Sequence, residues 1–415
     1  MARQGDCSAF HSCRVGRLER TRLLTRRTAV RNLGLFLAGS PLLEAQHDLT
    51  NKGERLPAID ELVNVLDFEP VCKSRIPNNS YDFISAGVDN EWTLRRNRQA
   101  FERITFRRRM LADTSKMDLS ITLFGQKAEM PIFIAPTSSH QMVHQEGELA
   151  TARAAGQVKT IMLVSSISSY PIEEIAAAAP HPLWFQLYPD ADEDGTRERV
   201  ERALAAGCKL VCLTVDNPYR FQSERLERNR MSTGGQPGDA GSAARRRRTP
   251  EQQAPNRYLL RPTPTSRLTW SFLDQLRSWS KAPLLVKGIL TAEDAGRSLE
   301  HGADGVVVSN HGGRLLDGDP ATIEVLEEIV NAVGGKIPVL VDSGFRRGTD
   351  ILKALALGAK AVLVGRPPLW GLGAYGQAGV ARVMELLQAE LARAMGLSGC
   401  PNLASINRAL VRAAP

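Results

Sequence analysis

The chain has 415 residues, a hydrophobic content of 43% and a formal net charge of +8 at pH 7, a composition typical of a soluble globular protein. About half of the positive excess lies in residues 1–50, which hold eight Arg and four acidic residues, and the run Arg245–Arg248 supplies most of the rest. Because the remaining chain is near neutral, we expect no nucleic-acid partner.

The first 46 residues show no pattern of a folded domain, and we assign the domain to residues 47–415. Thr25-Arg26-Arg27 precedes the mildly apolar run Leu33–Leu43, an arrangement that resembles a twin-arginine export signal. The run is too short to span a membrane as a stable helix. The alternatives are an Arg-rich tail on a cytoplasmic protein or a mis-assigned start codon.

The body of the chain alternates two kinds of pattern. Hydrophobic spacing predicts helices from Ala58 to Phe106, and from Met130 onward short β-rich runs alternate with amphipathic or Ala-rich segments. Strands are predicted at 131–135, 161–165, 183–188, 210–216, 283–287, 305–309, 338–342 and 361–365. Helices are predicted at 147–158, 172–179, 195–206, 292–301, 321–333 and 348–357. The alternation predicts an α/β fold, a closed (β/α)8 TIM barrel with an N-terminal helical extension.

One long segment, residues 217–270, interrupts the alternation after the fourth predicted strand. It is too long for an ordinary loop, and it is rich in Gly, Ser, Pro and Arg between 232 and 257. We interpret it as a partly disordered insertion over the barrel mouth.

Cysteine usage suggests neither a metal site nor a disulfide scaffold. Six cysteines are scattered along the chain without a C-x-x-C pair. We therefore expect reduced thiols and no metal ion, with Cys208 and Cys212 packed around a strand.

Barrel enzymes place their chemistry at the carboxyl ends of the strands. In this chain those ends carry Thr137, Ser165, Tyr188, Asp216, Lys287, His311 and Asp342. The stretch Gly305–Asp317 is the most informative, because it places His311, a base that titrates near pH 7, three residues before the permanent cation Arg314 on a glycine turn. These residue types suit removal of a proton from a molecule that carries a carboxylate.

Two loops predict a phosphate site. Asp342-Ser343-Gly344-Phe345-Arg346 follows the seventh predicted strand, and Gly365-Arg366 follows the eighth. Glycine amides and helix starts after these two strands are the usual phosphate site of this fold. Either Arg346 or Arg366 can add a charge-assisted contact.

Nine stretches in chain order carry a family resemblance across roughly Leu56 to Ala404. They are YDFISAG, IAPTSSH, GELATARAA, WFQLY, LTVDNP, LLVKGI, SNHGGR, VDSGFRRGTDILKALALGA and VGRP. Together they resemble the FMN-dependent α-hydroxy acid oxidases and dehydrogenases, the family of glycolate oxidase, lactate oxidase, lactate monooxygenase and mandelate dehydrogenase.

The resemblance implies that FMN is bound non-covalently, with its phosphate in the two loops. It implies that the ring system is lined by Pro136, Thr137, Ser138 and Tyr188 and hydrogen-bonded by Ser165, Gln186, Thr214 and Ser309. Lys287 would stabilise the negative charge that reduction leaves on the flavin.

The resemblance also assigns the reacting groups. His311 would accept the proton, Arg314 would bind the substrate carboxylate, Asp216 would orient the imidazole and Tyr188 would hydrogen-bond the substrate oxygen. The expected reaction is oxidation of an L-2-hydroxy acid to the 2-oxo acid, with oxygen, a quinone or a cytochrome as the final electron acceptor. A homo-oligomer, such as the tetramer common in the family, is expected.

Two departures from the family pattern leave alternatives open. Phe83 stands where the family usually has a tyrosine, and Ser223 stands where it usually has an arginine, although Arg220 and Arg225 lie nearby and could compensate. Ile167 is the residue expected to line the pocket. The alternatives are a catalytically weakened FMN-binding homologue, or another FMN-barrel chemistry such as lactate 2-monooxygenation or an isomerase reaction.

Overall fold

The computed structural model describes residues 55–233 and 262–413. Its helices are α1 (Phe68–Arg75), α2 (Asn78–Ser85), α3 (Trp92–Gln99), α4 (Gly147–Gln157), α5 (Ile172–Ala178), α6 (Glu193–Ala205), α7 (Glu224–Thr233), α8 (Ser271–Trp279), α9 (Ala292–Glu300), α10 (Thr322–Val333), α11 (Gly348–Ala356) and α12 (Arg366–Leu397). Its strands are β1 (Ile104–Phe106), β2 (Ile121–Leu123), β3 (Gln126–Ala128), β4 (Ile132–Ile134), β5 (Met162–Ser165), β6 (Leu183–Leu187), β7 (Val211–Thr214), β8 (Leu284–Ile289), β9 (Gly305–Val308), β10 (Val339–Val341), β11 (Ala361–Val364) and β12 (Val411–Ala413). The predicted leader lies outside the described residues.

Strands β4 to β11 form a closed parallel barrel, which confirms the predicted (β/α)8 fold. The barrel closes where β11 pairs with β4, with Val362 opposite Ile132. All eight predicted strands are present, and their ends differ from the prediction by at most two residues. Helices cover the outside of the barrel while side chains fill its inside, so both faces of each strand are apolar.

The protein has two apolar cores among its described residues: one fills the inside of the barrel, and the other lies between the strands and the surrounding helices. Phe133, Trp184 and Leu285 are buried in the core inside the barrel. The hairpin β2–β3, which was not predicted, packs against the same core through Phe124, whose ring centroid lies 5.7 Å from that of Trp184. Filling the interior in this way leaves a packed barrel rather than a pore, and the open face is at the carboxyl ends of the strands.

The N-terminal extension contains the predicted helices, but it ends in a strand that the helical pattern did not predict. Ile104–Phe106 pairs antiparallel with the C-terminal strand, placing Ile104 opposite Ala413. The first helix of the extension packs on the last helix of the barrel. These contacts join the two ends of the domain.

The predicted insertion, residues 217–270, separates β7 from helix α8 in the structure. Helix α7 lies within it, and Tyr219 forms a bridge with Pro262, so the two described ends of the segment meet. Helix α8 begins at Ser271 and is the barrel helix between β7 and β8. Residues 234–261, which carry most of the Gly, Ser and Arg bias, lie outside the described residues.

None of the helices in the described ranges combines the length and apolar character that a membrane crossing requires. The longest, α12, has 32 residues and is interrupted by non-helical backbone at Tyr375 and Gly376.

Candidate active site

A cavity of about 1140 Å³, counting its open mouth, lies at the carboxyl ends of the barrel strands. The structure brings together on its wall the predicted residues Pro136, Thr137, Ser138, Ser165, Tyr188, Lys287, His311, Arg314, Asp342, Ser343, Gly344, Phe345, Arg346, Gly365 and Arg366. The other predicted residues adjoin this wall: Gln186 bonds Ser165, Thr214 is paired with Lys287, Ser309 bonds Lys287, and Asp216 bonds His311.

The proposed base, His311, is held between two partners. Its Nδ1 lies 2.9 Å from Oδ1 of Asp216, and its Nε2 lies 3.3 Å from the Tyr188 hydroxyl. Burial raises the pKa of Asp216, but the charges of His311 and Lys287 outweigh burial and lower that pKa overall. An ionised Asp216 can only accept a hydrogen bond, so Nδ1 of His311 carries a hydrogen, and a neutral imidazole in this tautomer would present its Nε2 lone pair to the cavity.

Local backbone geometry fixes this arrangement. His311 has a φ of 55°, a left-handed conformation that is uncommon for a residue other than glycine, and its amide donates to Oγ of Ser309 at 3.1 Å. Gly288 makes room for the carboxylate, because a Cβ there would lie 2.6 Å from the Cβ of Asp216. The imidazole is therefore oriented by both its own backbone and its partner.

The Tyr188 hydroxyl is a hydrogen-bond donor at neutral pH. Burial and the charge of Asp216 raise the pKa of Tyr188 well above its usual value. Because the phenol keeps its proton, it can donate either to Nε2 of His311 or to a bound oxygen atom.

Arg314 lies in the wall of the same cavity. Its Nη1 donates to the carbonyl of Phe83 at 2.6 Å, and no described residue accepts a hydrogen bond from Nε or Nη2. Burial and repulsion from Arg366 lower the pKa of Arg314 to about 9. A partly buried cation without a carboxylate partner is costly, and a bound carboxylate would offset that cost.

Lys287 does have an anionic partner, which the sequence did not reveal. Its Nζ lies 3.3 Å from Oδ2 of Asp342 and donates to Oγ of Ser309 at 2.8 Å. Burial lowers the pKa of Lys287, but the charges of Asp342 and Asp216 reverse the effect and raise it overall. Asp342, predicted as part of the phosphate loop, therefore supports the cation that faces the expected flavin.

The end of the cavity that is predicted to hold the phosphate contains two neighbouring arginines. Burial and repulsion from Arg366 lower the pKa of Arg346 to about 9, and burial lowers the pKa of Arg366 to about 10. Arg346 lies over the ring of Trp370 at 4.6 Å, and Arg366 bonds the carbonyls of Ile84, Gly312 and Ala86. Arg366 thereby uses three of its five donors, so the pair can still receive a phosphate.

The backbone amides at the start of α11 already have hydrogen-bond acceptors within the protein. The amides of Arg346 and Arg347 both donate to Oδ2 of Asp350 at 3.0 Å, and the amide of Gly348 donates to Glu390. Because the protein's own carboxylates occupy these donors, we expect the guanidinium groups to be the main charged contacts for a phosphate.

Two orphaned polar atoms fit the expected FMN ring. Nε2 of Gln186 and Oγ1 of Thr214 are buried and have no hydrogen-bond partner among the described residues. A buried polar atom without a hydrogen-bond partner destabilises the fold, and a ligand that forms the missing hydrogen bond removes this cost. Both belong to residues that the family resemblance assigns to the flavin, so the donor set here fits FMN. Gly344 is required by packing within the protein, because a Cβ there would lie 2.2 Å from the carbonyl oxygen of Asn97.

The two departures from the family pattern lie where expected. Phe83 lines the cavity, whereas Tyr81 bonds Glu69 at 3.0 Å and does not replace it. Ser223 is buried, and Arg225 pairs with Glu91 at 2.7 Å. Arg220 is exposed, and neither it nor Arg225 lines the cavity. Among the described residues, therefore, neither Tyr81, Arg220 nor Arg225 replaces the missing groups.

Sequence reasoning missed two side chains of this region. Phe221 lines the cavity, with Cζ of Arg314 at 3.8 Å from its ring centroid, but it lies in a segment interpreted as an insertion. His140 is buried behind the cavity wall, with Nε2 at 2.6 Å from Oγ1 of Thr137 and Nδ1 at 3.0 Å from Oγ1 of Thr151. Only the match of His140 to the end of the IAPTSSH stretch pointed to it.

Known proteins resemble this chain over most of its length. It is 45% identical over 354 residues to the peroxisomal (S)-2-hydroxyacid oxidase GLO3 of Arabidopsis thaliana, covering 85% of this chain and 97% of the relative. It is also 45% identical over 362 residues to the L-lactate oxidase of Nostoc sp. (strain PCC 7120), covering 85% and 98%. A crystal structure of mandelate oxidase superposes with a TM-score of 0.77 at 40% identity, covering 85% of this chain and 99% of the other.

The family comparison agrees with the site geometry. Residues 72–413 match the model of the FMN-dependent dehydrogenase family, and this range contains every predicted site residue. The chain therefore belongs to the FMN-dependent dehydrogenase family, whose members are FMN-dependent oxidoreductases.

Proposed function

We propose that this protein oxidises an L-2-hydroxy acid to the 2-oxo acid, with His311 as the base. The observation that carries the proposal is the chain of contacts from Tyr188 through His311 to Asp216 in the wall of the same cavity as Arg314. A proton acceptor and a carboxylate-binding cation thus face one bound molecule. The names of the similar oxidases support the substrate class.

Each protein group has one task in the reaction. Oxidation of the CH–OH group removes two electrons and two protons, and Nε2 of His311 takes one of the protons. Asp216 then stabilises the imidazolium through its bond to Nδ1. The Tyr188 hydroxyl donates a hydrogen bond to the substrate oxygen, and Arg314 holds the carboxylate.

FMN, when bound, would supply the acceptor for the two electrons and for the second proton. Lys287 faces the cavity with a fixed positive charge, which stabilises the negative charge that reduction produces. We propose oxygen as the final electron acceptor, because the similar proteins are named oxidases.

The substrate is proposed to carry a bulky apolar group. Phe83 and Ile167 line the cavity, and Arg314 lacks the tyrosine and arginine that usually assist it in the family. Losing a hydrogen bond to a charged group costs ~1.5–3 kcal/mol. Burying apolar substrate surface returns roughly 25 cal/mol per Å², so a larger acid recovers affinity that glycolate cannot.

Replacing the base tests the proposal. We expect His311→Gln to retain FMN but to reduce its flavin at least about 100-fold more slowly when mixed anaerobically with a 2-hydroxy acid. His301→Gln is the matched control, because His301 pairs with Asp274 outside the cavity and should leave the rate unchanged. A His311→Gln protein that reduces its flavin at the parent rate would remove His311 from the mechanism.

A further inference from the structure

Phe221 holds a position that core packing does not explain. It lies between β7 and α7 and is only partly buried. Among the described residues it belongs to neither apolar core, and its ring contacts are with Phe83 and Arg314. A side chain placed in this way faces the ligand cavity rather than stabilising the barrel.

The contact with Arg314 is close and well defined. Cζ of Arg314 lies 3.8 Å from the ring centroid of Phe221 and 5.1 Å from that of Phe83. The two rings meet edge to face, with centroids 6.5 Å apart and planes at 81°. This spacing is typical of a favourable aromatic pair, and the guanidinium distance is typical of a cation–π contact.

The aromatic pair limits how a ligand can reach Arg314. Nη1 is directed at the carbonyls of Phe83 and Ala86, and the Phe221 ring covers the guanidinium. The edge formed by Nε and Nη2 is left for a carboxylate, as a bidentate contact requires. The remainder of a bound acid must then lie beside aromatic surface.

We propose that Phe221 is a specificity-determining residue, which with Phe83 forms an aromatic wall beside Arg314 that favours carboxylates bearing an aromatic group over small ones. This inference rests on the proposed function, because a preference among carboxylates becomes substrate specificity only if the protein oxidises 2-hydroxy acids. What can be measured is the difference in affinity between aromatic carboxylates and small carboxylates. Ser223, only two residues away, is small and buried and contributes no such surface.

Benzoate and acetate test this wall without turnover, because neither has a hydroxyl group to oxidise. Each would be titrated into the oxidised, FMN-loaded protein while the flavin absorbance is recorded. We expect the parent to prefer benzoate, and Phe221→Ala to reduce the benzoate-to-acetate affinity ratio about 10-fold. Phe221→Leu, which keeps an apolar side chain, should give an intermediate ratio.

Phe272→Leu is the matched control. Phe272 forms an edge-to-face pair with Trp279 outside the cavity, so its loss should leave the ratio unchanged. FMN content and melting temperature would identify a variant that fails to fold, in which case Phe221→Leu decides the question.

Three results would overturn the proposal: no benzoate preference in the parent, an unchanged ratio in the Phe221 variants, or an equal loss of affinity for both anions. The last would show that Phe221 acts on Arg314 alone. Failure of the proposed function would look different, because the flavin would then resist reduction by every 2-hydroxy acid whatever the binding ratio.

Discussion

At the scale of single residues, the cavity wall contains two kinds of cationic side chain. Lys287 has Asp342 as a partner, and its pKa is raised. Arg314, Arg346 and Arg366 have no carboxylate partner among the described residues, and burial lowers the pKa of each. The first kind acts as a fixed charge within the site, whereas the second kind is poised to bind anions that the protein itself does not provide.

The substitution Phe83→Tyr tests the proposed weakness of the carboxylate site. The Phe83 ring lies 5.1 Å from Cζ of Arg314, so a hydroxyl group on it would enter the cavity beside the carboxylate. We expect kcat/KM for glycolate to rise about 10-fold, as for a hydrogen bond to a charged group. Phe272→Tyr, outside the cavity, should change nothing. An unchanged kcat/KM for glycolate in Phe83→Tyr would show that another group already supplies the contact.

At the scale of elements, the loop after β9 positions both reacting side chains. His311, Gly312 and Gly313 have consecutive positive φ values of 55°, 70° and 71°. The carbonyl of Gly313 accepts from the amide of Val88, which joins this loop to the N-terminal extension. The extension is therefore part of the active-site scaffold as well as a cover for the barrel.

Gly313→Ala tests this dependence on the loop. A Cβ at Gly313 would lie 2.6 Å from the amide nitrogen of Leu94, and the left-handed backbone costs about 1–2 kcal/mol more. We expect a lower melting temperature and slower flavin reduction. Gly296→Ala in α9 is the control, because its Cβ meets nothing within 4 Å and alanine favours a helix. Equal melting temperatures and rates for both variants would contradict a rigid loop.

Elements with strong periodicity could be predicted from the sequence. The eight barrel strands are short apolar runs whose ends carry polar residues, so both the barrel and the site at its carboxyl ends followed from the pattern. Helix α8 was missed because it follows directly on a segment with loop composition. Helix α12 was missed because its glycines and prolines weaken the helical signal, although its packing stabilises it.

Contacts between distant residues could not be predicted in the same way. The ion pair between Lys287 and Asp342 depends on where their two strands lie in the closed barrel. The hydrophobic pattern along the sequence does not give the distance between residues on different strands. The stacking of Phe221 on Arg314 joins a loop to a residue far along the chain. Sequence reasoning therefore found the reacting groups but not the side chains that set their environment.

At the scale of the whole molecule, the predicted leader, residues 1–46, lies outside the part of the chain that matches the family. The family match begins at residue 72, and the leader lies outside the described residues. We propose that Arg26 and Arg27 belong to a twin-arginine export signal, which is read by a receptor that accepts folded proteins. This proposal concerns localisation and is independent of the chemistry.

Replacing Arg26 and Arg27 with lysine tests the export proposal. We expect the variant to retain FMN, since both residues precede the family match, but to remain in the cytoplasm of a bacterial host with a functional twin-arginine pathway. Cell fractionation with detection of the flavin measures both properties. Identical distribution of parent and variant would favour an Arg-rich tail or a mis-assigned start codon.

We propose that this protein oxidises 2-hydroxy acids with its flavin, and this claim can be tested directly. The most direct measurement is anaerobic mixing of the purified yellow protein with a panel from glycolate and lactate to mandelate, while flavin absorbance is followed. We expect the flavin to bleach, and mandelate to reduce it with a higher second-order rate constant than glycolate, because Phe83, Ile167 and Phe221 line the cavity. A flavin that stays yellow with every acid would contradict the claim and identify a homologue that binds FMN without turnover.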